Sequence, residues 1–281
     1  MVRVIVGFCM KLATDILKDC GCVIEPLEPV KYVDVGTCFW TFFQVHHILT
    51  RHVYTSITLG FPINRQHHLL SIIPPFVNYC LQNMKTAPLP TVIICPGNGC
   101  TQIRRSNWYG KLYDILTTEK EIPCICENFP DPNRARRDIW VPHIRSLAEK
   151  NDDPQNVILV GHSSGAQAAL RYAELYKVHG IVLVSATYTD LGDAGERASG
   201  YYPQKKNGGE ETNPYLFNKM KENCKKWHQF HSDDDPFIPL HEAERIRDGL
   251  GLSDDAYHML PGRSHFFDFS PEILNAVLSL C

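Results

Sequence analysis

A serine flanked by glycines, placed directly after an apolar strand, is the feature that most limits the folds open to this chain. Residues 157–166 read V-I-L-V-G-H-S-S-G-A, so that an apolar run meets Gly161, Ser163 and Gly165 just before a helical pattern begins. A G-x-S-x-G turn of this kind needs a positive φ at the serine, where side chains two residues to either side would collide. The pattern indicates a parallel sheet in which this strand runs into a helix.

The rest of residues 90–281 alternates between apolar strands and amphipathic helices. Strands are predicted at 91–95, 122–129, 156–160, 180–186, 226–231 and 256–260, and helices at 108–116, 134–148, 164–176, 216–224, 240–250 and from Pro271 onward. Continuously apolar strands that alternate with helices are typical of a parallel sheet covered on both faces. We therefore expect one compact, doubly wound α/β domain with a mostly parallel sheet.

Residues 1–89 have a different character from the rest of the chain. No acidic residue occurs between Asp34 and Asp114, and residues 35–88 follow neither a helical nor a strand period. The segment T-A-P-L-P at 86–90 is typical of a linker. We predict an N-terminal extension of uncertain order over 1–89, whose composition would also suit a wrongly assigned start, and a folded domain over 90–281.

Ser163 sits where a nucleophile would be lifted above the sheet. A serine alcohol needs a base to take its proton, and that base needs an acid to orient it. In this type of fold, the acid and then the histidine follow the serine along the chain, each at the end of a later strand. The predicted strand 226–231 is followed by D-D-D-P-F-I-P, in which Asp235 is the favoured acid and Asp233 and Asp234 are alternatives.

The histidine expected to act as the base is His265. It lies in P-G-R-S-H-F-F, directly after the predicted strand 256–260 and so at the same edge of the sheet as the serine. His258 lies inside that strand, where packing is the simpler interpretation. His162 is next to Ser163 in sequence, but its side chain should point away from the reacting hydroxyl if Ser163 is at the tip of the turn.

Two backbone segments are expected to stabilise a negative oxygen formed during the reaction. The N–H of Ser164 lies at a helix N-terminus, where an oxyanion is favoured. The second donor should come from the loop after the first strand, P-G-N-G at 96–99, and we assign it to Asn98 or Gly99. The sequence does not decide between a side chain and a backbone N–H.

Composition and motifs argue against several other classes of protein. With 28 Lys+Arg against 31 Asp+Glu, the chain has no basic surplus for nucleic acid or an anionic membrane. Its cysteine pairs, C-G-C and C-I-C, lack the spacing of a zinc site, and no phosphate-binding G-x4-G-K-[ST] occurs. No apolar run reaches the ~18–20 residues that span a bilayer. We expect no metal, cofactor, nucleic-acid or membrane partner, and a cytoplasmic or also nuclear location.

Many short motifs together resemble one known family, the retinoblastoma-binding protein 9-like serine hydrolases. The motifs are P-G-N-G, W-Y-G, N-F-P-D-P, I-W-V-P, G-H-S-S-G-A, R-Y-A-E, I-V-L-V-S-A, D-L-G-D, E-R-A-S-G-Y and D-D-P-F-I-P. The resemblance covers residues 90–281. It implies a compact α/β-hydrolase without a large cap domain, and a catalytic triad on Ser163, Asp235 and His265. The expected activity is cofactor-free cleavage of small ester or amide substrates through an acyl-enzyme.

The chain also departs from that family. Residues 1–89 have no counterpart, residues 204–212 look like an insertion beside the site, and Cys100 stands where the family tends to have glycine. The family name implies binding to retinoblastoma-type pocket proteins, which commonly read L-x-C-x-E, and none of the 11 cysteines lies in that motif. Pocket-protein binding is therefore not expected. The alternative function is a weakly active or inactive hydrolase scaffold that acts by protein–protein interaction.

Overall fold

A six-stranded sheet forms the centre of the computed structural model, which describes residues 88–205 and 211–281. In chain order its strands are β1 (Thr91–Cys95), β2 (Cys124–Ile125), β3 (Val157–His162), β4 (Gly180–Val184), β7 (Trp227–His231) and β8 (Tyr257–Met259), and a separate hairpin is formed by β5 (Gln204–Lys205) and β6 (Glu211–Thr212). The helices are α1 (Tyr109–Asp114), α2 (Arg137–Ala148), α3 (Ser164–Leu175), α4 (Ala194–Ser199), α5 (Phe217–Asn223), α6 (Leu240–Leu250) and α7 (Pro271–Leu280).

The strand order is β2-β1-β3-β4-β7-β8, and every neighbouring pair in this sheet is parallel. The chain leaves β1 for the edge strand β2, then returns to the other side of β1 and adds the remaining strands in sequence order. Parallel strands need crossovers of a dozen or more residues, and the helices supply them. The predicted doubly wound α/β fold is confirmed.

Helices cover both faces of the sheet, because alternate strand residues point to opposite sides. Ile93 and Leu159 contribute to a buried cluster with residues of α2, α3, α5 and α6. Val92 and Val160 contribute to a second buried cluster with residues of α1 and α7. Both faces of the central strands are therefore sealed from water, which explains their unbroken apolar runs.

Some element boundaries differ from those predicted. The predicted strand 122–129 shrinks to the two residues of β2, which lies at an edge of the sheet and pairs on one side only, with β1. The helix predicted to end at residue 116 continues beyond α1 as one wider π-type segment, Ile115–Glu119. Apolar periodicity reports burial, and it does not report where hydrogen bonding to a neighbour stops.

The connection between β4 and β7 is the longest in the sheet, and its described residues carry no large cap. It contains α4, the β5–β6 hairpin and α5. The predicted insertion 204–212 begins in β5 and ends in β6, and residues 206–210 lie outside the described part of the chain. Except for residues 88 and 89, so does the predicted extension 1–89. Within the described residues no helix combines the length and apolar character needed to cross a bilayer.

Candidate active site

The candidate site lies where the strand order reverses, at the carboxyl ends of β1 and β3. Cys95, the last residue of β1, pairs with Gly161 in β3. The loops that follow these two strands leave in opposite directions along the sheet, and this opens a crevice between them. The predicted nucleophile and the P-G-N-G loop therefore meet at the same place.

Ser163 forms a sharp turn between β3 and α3. Its backbone has φ 54° and ψ −120°, a conformation that non-glycine residues rarely adopt. Three bonds hold it there: its N–H donates to the carbonyl of Val184 at 2.9 Å, and its carbonyl accepts from the N–H groups of Ala166 at 2.9 Å and Gln167 at 3.3 Å. These bonds fix the backbone of the turn, and because Ser163 is only half-buried its side chain stays accessible.

The two flanking glycines are needed because the backbone crowds this turn. A Cβ at Gly161 would lie 2.5 Å from the carbonyl oxygen of Gly165, and a Cβ at Gly165 would lie 2.1 Å from that of Cys95. Both distances are far below van der Waals contact with backbone that cannot move aside. The sequence pattern G-x-S-x-G is thus a packing requirement of the crossing between β1, β3 and α3.

His265 and Asp235 form a hydrogen-bonded pair at the same edge of the sheet. His265 Nδ1 donates to Asp235 Oδ2 at 2.8 Å, and Asp235 Oδ1 accepts from the N–H groups of Phe237 and Ile238 at 2.9 and 3.1 Å. Burial of the Asp235 carboxylate would raise its pKa, but His265 and the two N–H groups outweigh burial, so the pKa is lowered. An ionised Asp235 fixes the proton on Nδ1 and leaves Nε2 of His265 free to accept.

The alternative acids and histidine are engaged elsewhere. Asp234 Oδ1 accepts from the N–H of Ser264 at 2.7 Å, and Asp233 Oδ1 accepts from that of Gly262 at 3.1 Å. Both carboxylates are exposed and shape the loop before His265. His258 lies on β8, where its Nε2 is 3.0 Å from Nδ1 of His228. The structure thus brings Asp235 to His265 and leaves the other candidates outside this pair.

The donors of the P-G-N-G loop differ in whether they already have an acceptor. The N–H of Gly99 donates to the carbonyl of Pro132 at 2.8 Å, and the side-chain amide of Asn98 lies 3.4 Å from Glu196 Oε1. Within residues 88–205 and 211–281, the backbone N–H groups of Asn98 and Ser164 have no hydrogen-bond acceptor. The geometry favours the N–H groups of Asn98 and Ser164 as the oxyanion donors, because the N–H of Gly99 is already bonded to the loop that contains Pro132.

A cavity of about 560 Å³ connects these groups. Its lining includes Gly97, Asn98, Cys100, Asn107, His162, Ser163, Ser164, Thr187, Leu191, Glu196, Tyr202, Pro236, Phe237, Ile238, His265 and Phe267. The exposed rings of Phe237 and Phe267 lie 5.0 and 5.5 Å from the ring of His265. Ser163 Oγ makes no hydrogen bond within the described part of the chain, and the bond between such a serine and its histidine commonly tightens only when substrate is bound.

His162 has a role that the sequence did not suggest. Its side chain is buried, and its Nε2 lies 2.8 Å from the backbone carbonyl oxygen of His265, while its Nδ1 lies 2.6 Å from Tyr109 Oη. Burial, with a smaller contribution from His265, lowers the pKa of His162 to about 3. His162 is therefore neutral at every pH near neutrality and links α1 to the loop that carries His265.

The buried, neutral His162 should make folding sensitive to mild acid. Its pKa falls from 6.5 to about 3 on folding, so below pH 6.5 the unfolded chain gains a proton that the folded chain does not. The contribution of neutral His162 to the free energy of unfolding is complete above pH 6.5. It declines by about 1.4 kcal/mol for each pH unit as the pH falls from there toward 3. We expect urea unfolding to show that, from about pH 7.5 to about pH 5, the free energy of unfolding falls by about 2 kcal/mol less in His162→Gln than in wild type.

The matched control for this measurement is Tyr215→Phe, which also alters a buried side chain but removes no group that titrates between the two pH values. That variant should keep the wild-type decline in the free energy of unfolding between the two pH values. An equal decline in wild type and His162→Gln would contradict the assignment.

Within the described ranges, no group of three or more His, Cys, Asp or Glu side chains is arranged to hold a metal ion.

Comparison with known proteins identifies the family. The sequence profile of the alpha/beta hydrolase family matches residues 92–221. Serine hydrolase RBBP9 of Rattus norvegicus is 40% identical over 174 residues, which cover 62% of this chain and 86% of that protein. The crystal structure of the ydeN gene product of B. subtilis is 20% identical with a TM-score of 0.56, over 68% of this chain and 98% of that one. This last likeness shows the fold alone.

Proposed function

The chain belongs to the α/β-hydrolase family as a relative of serine hydrolase RBBP9, and from this premise we propose that it cleaves small esters or amides with Ser163 as the nucleophile. That the protein is a hydrolase follows from its membership of this family. The serine mechanism is supported by a single observation: His265, which is bonded to Asp235, lines the same cavity as Ser163.

Each group has a defined task in the proposed reaction. His265 Nε2 accepts the proton of the Ser163 hydroxyl as the oxygen attacks the substrate carbonyl carbon. Asp235 holds the proton on Nδ1 and stabilises the imidazolium that forms. The N–H groups of Asn98 and Ser164 donate to the developing oxyanion, and each such donor contributes about 3–4 kcal/mol to the transition state.

The second half of the reaction releases the acyl group. His265 passes its proton to the leaving alcohol or amine, which departs and leaves an ester on Ser163. A water molecule then attacks the acyl carbon while His265 takes its proton. The bond to Ser163 Oγ breaks, His265 returns the proton to that oxygen, and the acid leaves. A cavity of about 560 Å³ suits a small acyl substrate, and we propose such a compound, and neither nucleic acid nor membrane, as the partner of this site.

Covalent labelling with a fluorophosphonate probe tests the proposal. The folded protein should form one adduct, which peptide mass spectrometry should locate on Ser163. Heat-unfolded protein is the control, because an ordinary serine alcohol has no base to activate it. If the folded protein does not label, the triad is not competent, and the alternative of a non-catalytic scaffold that binds other proteins replaces the enzyme.

A further inference from the structure

A chain of buried hydrogen bonds joins the loop after β1 to the loop that carries His265. The N–H of Gly97 donates to Tyr109 Oη at 2.9 Å, and Tyr109 Oη lies 2.6 Å from Nδ1 of His162. Nε2 of His162 lies 2.8 Å from the carbonyl oxygen of His265. The Tyr109 side chain is fully buried and His162 is 1% exposed. The side chains of Tyr109 and His162 therefore connect the two loops by hydrogen bonds.

Only one arrangement of protons gives every hydrogen bond in this series both a donor and an acceptor. The carbonyl of His265 can only accept, so Nε2 of His162 carries the proton, and Nδ1 of the same neutral ring must accept. Tyr109 therefore donates its O–H to Nδ1 and uses its oxygen to accept from Gly97. Asn107 Nδ2, at 3.1 Å, is a second donor to that oxygen. The polarity of the whole chain is fixed, and no member can rotate without leaving a buried group unpaired.

The segment around His265 needs this support, because its backbone is strained. Ser264 and Phe266, on either side of it, both have φ of 50°, a left-handed conformation that costs about 1–2 kcal/mol for a non-glycine residue. Outside donors hold its two successive carbonyls: His162 holds that of His265, and Trp108 Nε1 holds that of Phe266 at 2.8 Å. The position of the His265 ring thus depends on side chains from β3 and from the start of α1.

We propose that Tyr109 and His162 are positioning residues that set the His265 ring and the backbone N–H of Asn98 at matching places on either side of Ser163. Asn98 directly follows Gly97, whose N–H Tyr109 holds. The base and the oxyanion donor must fit one tetrahedral intermediate together, and a misplacement of about 1 Å can cost about 100-fold in rate. The inference rests on the proposed serine mechanism and adds to it two residues outside the triad.

The first test is Tyr109→Phe, which removes only the hydroxyl. With p-nitrophenyl acetate as the probe ester, kcat should fall by about 10- to 100-fold while KM stays within about twofold, because the loss concerns the transition state. The matched control is Tyr215→Phe. The Tyr215 hydroxyl donates to Gln167 Oε1 at 2.7 Å, is also buried, and lies outside the cavity lining. It should lower the melting temperature as much as Tyr109→Phe does, with kcat within about twofold of wild type.

The second test separates positioning from packing at His162. In His162→Gln the amide nitrogen can take the place of Nε2 and donate to the His265 carbonyl, whereas in His162→Leu no donor remains. We expect the glutamine variant to keep a kcat about tenfold above that of the leucine variant. The proposal is overturned if Tyr109→Phe loses no more kcat than Tyr215→Phe, or if kcat across the four variants simply follows melting temperature.

A spectroscopic measurement keeps this test distinct from that of the proposed function. The proton on His265 Nδ1, bonded to Asp235, should give a far-downfield NMR signal in wild type. Tyr109→Phe should shift or broaden that signal, and Tyr215→Phe should not. If wild type neither labels nor turns over ester, the proposed mechanism fails, while an unchanged signal in Tyr109→Phe overturns the positioning role by itself.

Discussion

Replacement of Ser163 by alanine is expected to lower kcat by about 10⁵- to 10⁶-fold while the protein stays folded. The substitution removes the oxygen that forms the acyl-enzyme, and no other hydroxyl is held at the tip of the turn after β3. Alanine has one heavy atom fewer and should fit the backbone at φ 54° no worse than serine. The measurement is kcat on p-nitrophenyl acetate, with circular dichroism to establish folding.

Ser185→Ala is the matched control. Ser185 follows β4, the strand next to β3, and its φ is also positive at 49°. Its hydroxyl is buried and has no hydrogen-bond partner within the described residues. The same substitution, at the same sheet edge and on the same type of backbone, should leave kcat within about threefold of wild type. Equal activity in Ser163→Ala and Ser185→Ala would exclude Ser163 as the nucleophile.

Asp235→Asn is expected to lower kcat by about 10⁴-fold. An asparagine would still accept from Phe237 and Ile238 through its amide oxygen, so the loop should keep its shape. It would turn an NH₂ group toward His265 Nδ1, which must then accept. That change places the proton on Nε2, so His265 can no longer take the proton of Ser163.

Asp233→Asn and Asp234→Asn are the controls that settle the choice of acid. Each neighbour accepts a single backbone N–H in the loop before His265, from Gly262 and Ser264 respectively, and neither contacts the His265 ring. Asparagine can accept the same bonds, so kcat should stay within about tenfold of wild type. A greater loss in Asp234→Asn than in Asp235→Asn would move the acid to position 234.

The fold could be predicted from the sequence because its signals are local. β1 was predicted at its observed bounds, since a threonine and four apolar residues, set between turn-forming residues, are buried on both faces. The turn at Ser163 was predictable because only glycine fits at positions 161 and 165, where a Cβ would collide with backbone. β2 was predicted too long, because pairing at a sheet edge depends on a neighbour that is distant in sequence.

The candidate site was predictable only as a list of residues at strand ends. The order serine, acid, histidine selected Ser163 and His265 and favoured Asp235, but three adjacent aspartates follow β7, and sequence periodicity does not exclude Asp233 or Asp234. The contact of Asp235 with His265 bridges 30 residues, and the commitment of the Gly99 N–H to Pro132 bridges two separate loops. His162 gave only one weak signal, its place beside the serine.

By itself, the sequence determined which segments are strands and helices, where the chain must turn sharply and which residue types follow each strand. It could do so because burial and backbone conformation leave their mark within a few neighbouring residues. The tertiary structure alone decided which aspartate meets His265, which N–H groups stay free, and that Tyr109 and His162 join the two loops. Those outcomes depend on hydrogen-bond directions between segments that are far apart along the chain and adjacent only after the sheet has formed.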